Sequence, residues 1–174
     1  MDCLIIVDMQ NLVIGHADNA PAAIENMHTL LQRANNADVP VIWVQDESGP
    51  LTKGSTQWAI IEEFTVLPHH HRVGKTTGDG FASSELGSLL RDLGCRMPVI
   101  CGAMSHACVR ATATGALYAG YNSVLVSDAH CGQSIGDVRA DDVRELVNKM
   151  MRLVIHPEHR CFVRPTSEIE FHQL

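Results

Sequence analysis

The stretch Pro98-Val-Ile-Cys-Gly-Ala-Met-Ser-His-Ala-Cys-Val-Arg-Ala-Thr-Ala-Thr-Gly-Ala-Leu-Tyr-Ala119 decides the fold. Val99, Ile100 and Cys101 form a short apolar run without polar alternation, as in a strand buried on both faces. Gly102 and Ala103 let the backbone turn tightly, and Ser105 is placed to cap a helix. Ala107 to Ala119 is rich in small residues and has no proline, so a helix follows. Cys108 then stands at or near a helix N-terminus, just past the carboxyl end of a central strand. Unpaired amides and the positive end of the helix dipole lower a thiol pKa there and can hold a developing oxyanion. A free cysteine is as readily a small buried hydrophobe. This stretch alone leaves both readings open.

Outward from it, the chain alternates strands and helices. Asp2 to Asp8 (D-C-L-I-I-V-D) reads as a buried first strand ending in an acid, followed by the polar Gln10 and Asn11. A helix begins near Asn19 with Pro21 in its first turn, and Ile24, Met27, Leu30, Leu31 and Ala34 recur at helical spacing. Residues 39–45 give a second strand. Residues 46–68 lack periodicity and read as a lid or a subunit contact, with a short helix around Trp58 to Phe64. His69, His70 and His71 tempt towards metal, but adjacent side chains in extended chain point to alternate faces, so an exposed loop is the favoured reading. Residues 72–75 form a short third strand with Lys75 at its carboxyl end. A glycine-containing loop, 76–81, lacks the spacing of a phosphate loop. A helix through Leu86, Leu89, Leu90 and Leu93 closes at Gly94. After the Cys108 helix come a fifth strand (123–127), an amphipathic helix (137–152), a sixth strand (159–163) and a polar tail from Arg164 that covers an edge.

At 174 residues the chain is read as one domain, 1–174. Lys and Arg number 13 against 20 Asp and Glu, a formal net charge of −7, with no basic run, which argues against a nucleic-acid partner. The six cysteines show no Cys-x-x-Cys pair, so neither a zinc knuckle nor a disulfide framework is expected. No apolar run approaches the ~18 residues of a membrane span and no signal-type leader is seen, so a cytoplasmic protein without membrane contact is expected.

The alternation implies a three-layer α/β/α fold, a mostly parallel six-stranded sheet with helices on both faces. In such a sheet all carboxyl ends share one edge, where ligands bind. Asp8 ends the first strand, Lys75 the third, and Cys108 follows the fourth. An acid, a base and a thiol at equivalent positions are a stronger signal than any one of them.

V-D-M-Q around Asp8, G-K-T-T-G-D-G-F around Lys75 and C-G-A-M-S-H-A-C-V-R-A-T-A around Cys108 resemble the isochorismatase-like cysteine hydrolases, which include nicotinamidases and N-carbamoylsarcosine amidohydrolase. The resemblance runs from about Leu4 to Asp128, with a weaker match at Glu168-Ile169. It implies an Asp8–Lys75–Cys108 triad that hydrolyses a small, non-peptide amide through a thioester. Cys108 would be the nucleophile and Asp8 the proton carrier; Lys75 would keep Asp8 ionised and favour the thiolate. It also implies a cis peptide at Ala103–Met104, an oxyanion hole from the amides of Met104 and Cys108, and a homo-oligomer, dimer or tetramer. Gln10, Phe81, His106 and Tyr118 are candidates to line the pocket. Nicotinamidases are similar to one another in an Asp-x-His metal site; the matching place here reads Asp46-Glu47-Ser48, so no metal and no other cofactor is expected. True isochorismatases resemble the group in fold but lack the cysteine. The alternative function is a non-catalytic or thiol-sensing member of the same fold acting in assembly.

Overall fold

In a computed structural model that describes residues 2–172, six strands form one parallel sheet in the order β3-β2-β1-β4-β5-β6. The strands are β1 (Cys3–Val7), β2 (Val41–Asp46), β3 (His71–Lys75), β4 (Pro98–Ala103), β5 (Ser123–Cys131) and β6 (Cys161–Arg164). The helices are α1 (Asn11–Ile14), α2 (Ala20–Asn36), α3 (Leu86–Asp92), α4 (Arg110–Tyr118) and α5 (Ala140–Leu153). Strand alternation sorts β1 between two cores: Leu4 and Ile6 pack with Met27, Leu30 and Ala34 of α2, while Cys3, Ile5 and Val7 pack with Leu86, Leu90, Ala113 and Val147 of α3, α4 and α5. The sheet is thus covered on both faces, and the three-layer α/β/α architecture holds.

Four local expectations change. Residues 46–68 contain no helix: Ile60 bridges Gln10, Ile61 N donates to Met9 O (3.0 Å), and Leu51, Ile61 and Phe64 are buried, so the segment is strapped across the carboxyl ends of β1 and β2. His70 is not in an exposed loop. It is buried, its Nδ1 accepts from Trp43 Nε1 (3.1 Å) and Leu67 N (3.2 Å), and its Nε2 meets Asn35 Oδ1 at 3.0 Å. The tail is not only polar: Ile169 and Phe171 enter the α2-side core, and Arg33 donates to the Thr166 and Ile169 carbonyls. Gln173 and Leu174 lie outside the described residues. Finally, β5 runs on to Cys131, pairing His130 with Gly102 and Cys131 with Ala103.

Candidate active site

The three strands named from sequence deliver their side chains to one point. β2 and β3 pair in register with Asp46 opposite Lys75, and β1 lies beside β2. Asp8, the first residue past β1, has a φ of 49°, a left-handed conformation unusual for a non-glycine residue. Its amide still donates to Val44 O (2.8 Å), so the turn redirects the chain without leaving the sheet. Gly102 at the end of β4 has a φ of 122°, and a Cβ there would stand 2.1 Å from Val7 O; only glycine lets β4 close up against β1. The Ala103–Met104 peptide that follows is cis.

Beyond it, Ser105–Val109 form a single π-helical turn, with Val109 N donating to Met104 O (3.2 Å), before α4 begins. Such insertions are frequent at functional sites. Cys108 is half-buried on this turn. Ser105 does not cap it; its hydroxyl lies 2.8 Å from His130 Nδ1 instead.

Lys75 is completely buried, and its Nζ lies 2.8 Å from Asp8 Oδ2, 3.1 Å from Asp46 Oδ2 and 3.5 Å from Cys108 Sγ. Asp8, Asp46 and Cys108 each offer an atom within 4.8 Å of the others, a spacing that would suit a metal ion, but the Lys75 ammonium supplies the positive charge among them. Among the described residues, Asp8 Oδ1 is buried with no nitrogen or oxygen donor, and the Cys108 thiol is the group the carboxyl interacts with besides Lys75 and Asp46. Asp46 is held from outside: its Oδ1 accepts from Ser48 N (2.7 Å) and Ser48 Oγ (2.5 Å).

Electrostatics follow from burial and this one cation. Burial disfavours the Lys75 charge, but Asp8, Cys108 and Asp46 outweigh it and hold the ammonium above its ordinary value. Burial raises Asp8, opposed by Lys75. Burial also acts to raise Asp46, but the Ser48 hydrogen bonds and Lys75 bring it down. Burial, followed by the Asp8 charge, pushes the Cys108 thiol up to about 12 against the pull of Lys75. The helix-terminus argument for a lowered thiol pKa therefore does not describe this resting site, because desolvation is the larger effect.

Asp46 is the member the sequence reading left out of the cluster. The available signal was its position: it ends β2 as Asp8 follows β1, and register places it opposite Lys75. The pocket candidates separate. Gln10 is wholly buried; its Nε2 donates to the Asp46 and Trp58 carbonyls (3.0 Å each) and its Oε1 accepts from Asp46 N (2.9 Å), so it clamps the strap to the end of β2. Tyr118, ten residues past Cys108 along the helix, is 74% exposed and meets His156 edge-on, well away from the cluster. Phe81 packs beside Tyr121, with ring centroids 5.9 Å apart, on the α3–α4 core. His106 lines a shallow groove with Arg110, Ile135, Val138 and Met150, and its Nδ1 is buried without a partner among the described residues.

Comparison with known proteins gives a consistent result. The isochorismatase domain model matches residues 2–156. A streptothricin hydrolase of Streptomyces noursei is 32% identical over 157 residues, covering 87% of this chain and 56% of the relative. The chain thus spans little more than half of that protein's length. A ureidoacrylate amidohydrolase of Cronobacter sakazakii is 26% identical over 168 residues, 72% of each chain. Among solved structures, a cysteine hydrolase from Pseudomonas syringae superposes with a TM-score of 0.86 at 20% identity, covering 96% of this chain and 89% of that one. N-carbamoylsarcosine amidase from Thermoplasma acidophilum does so with a TM-score of 0.80 at 24% identity, covering 98% and 99%. At these identities the structural likeness speaks to fold, whereas the domain match extends over most of the sequence: the chain belongs to the isochorismatase family.

Proposed function

We propose that this chain hydrolyses a small, non-peptide amide, with Cys108 as nucleophile, Asp8 as proton carrier and Lys75 as the cation that organises both. The observation that carries the reading is the Lys75 ammonium, which lies within hydrogen-bonding reach of Asp8, Asp46 and the Cys108 sulfur in a buried setting. A thiol pushed up to about 12 rests protonated, so its proton must leave as the sulfur attacks. Asp8 Oδ1 has no other partner and belongs to a carboxyl made more basic by burial, which suits it to receive that proton.

In this mechanism the Cys108 sulfur bonds to the amide carbonyl carbon as its proton passes to Asp8. The developing oxyanion is held by the Met104 and Cys108 amides. Asp8 returns the proton to the departing nitrogen, the C–N bond breaks and a thioester remains. Water, losing a proton to Asp8, attacks the thioester; the acid is released and the thiol regains its proton. Lys75 stays charged throughout. Asp46, anchored by Ser48, fixes the ammonium from the far side.

Two relatives bear names of hydrolytic enzymes, one of them an amidohydrolase, which supports a C–N bond as the target. A thiol sensor would need a readily ionised sulfur, and burial opposes that at Cys108. A homo-oligomer belongs to the same proposal: Ile135, Val138, Leu146 and Met150 leave an apolar groove exposed that a second copy would cover, and light scattering would return a mass above that of one chain. The test of function is ammonia or amine release across a panel of carboxamides, ureido and carbamoyl compounds. Release by the wild type and none by Cys108→Ala is expected; equal release by both would overturn the reading.

A further inference from the structure

Ser105 stands three residues ahead of Cys108, where a serine at the start of a helix ordinarily turns its hydroxyl onto an amide of the first turn. In this turn the Ala107 and Val109 amides both donate to Met104 O (3.0 and 3.2 Å). The amide between them is that of Cys108, which the proposed mechanism gives to the oxyanion. A capping hydroxyl would compete for it.

The hydroxyl is engaged elsewhere, and the direction of each bond can be worked out. Ser127 O is a carbonyl and can only accept, so Asn148 presents its Nδ2 there (3.0 Å). Asn148 Oδ1 therefore faces His130 Nε2 (3.0 Å), which must be the protonated nitrogen. His130 Nδ1 is then an acceptor, and Ser105 Oγ–H donates to it (2.8 Å). Ser105, His130 and Asn148 are all buried. Each side-chain nitrogen and oxygen of Ser105, His130 and Asn148 has a partner, and these bonds tie β5, α5 and the π-turn together. β5 places His130 by pairing it with Gly102, on the strand that leads into the turn.

We propose that His130 is a positioning residue that captures the Ser105 hydroxyl and so keeps the Cys108 amide open for the oxyanion. The inference rests on the cysteine-hydrolase reading above. Removing His130 frees the hydroxyl to cap its own turn and block the donor; removing the hydroxyl as well leaves nothing to block it.

The experiment compares wild type, Ser105→Ala, His130→Leu, the Ser105→Ala/His130→Leu double variant and Cys108→Ala. Two probes are used: 4-nitrophenyl acetate, whose acyl transfer needs an oxyanion hole, and iodoacetamide, whose displacement by the thiolate does not. H130L should slow Cys108-dependent nitrophenolate release roughly 10²- to 10³-fold, on the scale of losing one oxyanion donor. S105A should stay within about threefold of wild type, and the double variant should recover to the S105A rate. Alkylation should change little across the set. Should H130L fail to fold, His130→Asn, too short to span from Ser105 to Asn148, replaces it in both backgrounds. A double variant as slow as H130L, or S105A as slow as H130L, would overturn the inference and leave the hydrolase reading standing. Nitrophenolate release that does not depend on Cys108 would sink the hydrolase reading itself, and the inference with it.

Discussion

Each end of β1 carries an aspartate with a cysteine close by, and the two ends are built oppositely. At the amino end, the Asp2 oxygens accept from the backbone amides of Arg96 (3.0 Å) and Met97 (3.0 and 3.2 Å), beside Cys3 and Cys95. At the carboxyl end, Asp8 gives one oxygen to Lys75 and leaves the other buried, unclaimed by any backbone amide among the described residues and facing the Cys108 thiol. A carboxylate whose oxygens are engaged by amides fastens one segment to another. One whose second oxygen meets only a thiol, a weak donor, is less well satisfied and costs stability, since burial has removed its solvation. That cost is intelligible where the oxygen has a proton to collect. The same contrast separates the His130 network, neutral and fully paired, from the charged cluster that it adjoins.

The most severe test of this contrast is at the active end. Cys108→Ala should lower amide turnover by about 10³-fold or more, measured as ammonia release, because nothing else in the cluster can form the thioester. Asp8→Asn should cost a comparable factor in turnover while having the opposite effect on the sulfur. The Asp8 charge holds the Cys108 thiol up, so its removal lowers the thiol pKa and speeds alkylation by iodoacetamide at pH 8. In the wild type, alkylation should still be rising with pH at about pH 9, above the ~8.5 of a free thiol. Turnover and alkylation moving together in D8N would break the assignment of Asp8 as proton acceptor.

Lys75→Met strands two carboxylates without their cation and should destabilise the fold by about 3–5 kcal/mol in urea unfolding. Acid should act through neither aspartate first. Burial lowers His130 to about 4, and burial with its His69 and His71 neighbours lowers His70 to about 4. Both are neutral when folded and bind a proton more readily when unfolded. Their stabilising contribution is therefore present above about pH 6.5 and drains away as pH falls towards 4. For the fully buried His130 the loss is on the order of 3 kcal/mol, to be read from urea midpoints across that range. Asp2→Ala closes the series. It should cost about 1–3 kcal/mol of stability by orphaning the Arg96 and Met97 amides, with kcat unchanged. A fall in kcat there would erase the distinction between the two ends.

Much of this was legible in the chain itself. Continuous apolar runs at 3–7, 41–44 and 98–101 and alternating amphipathic segments dictate a parallel sheet covered on both faces, because no other layering buries both sides of such strands. A parallel sheet brings all carboxyl ends to one edge, so Asp8, Lys75 and Cys108 were expected along that edge; the strand order β3-β2-β1-β4 is what brings them within reach of one another. Tertiary structure alone decided the rest, because it depends on register and burial. Register set Asp46 opposite Lys75 and His130 beside Gly102, and no local pattern announces either pairing. Desolvation reversed the expected shift of the Cys108 thiol, and the neighbouring strand drew Ser105 away from its own helix. A residue's type and position along the chain determine which edge it reaches; what its atoms do there follows from which partners arrive and how much water remains.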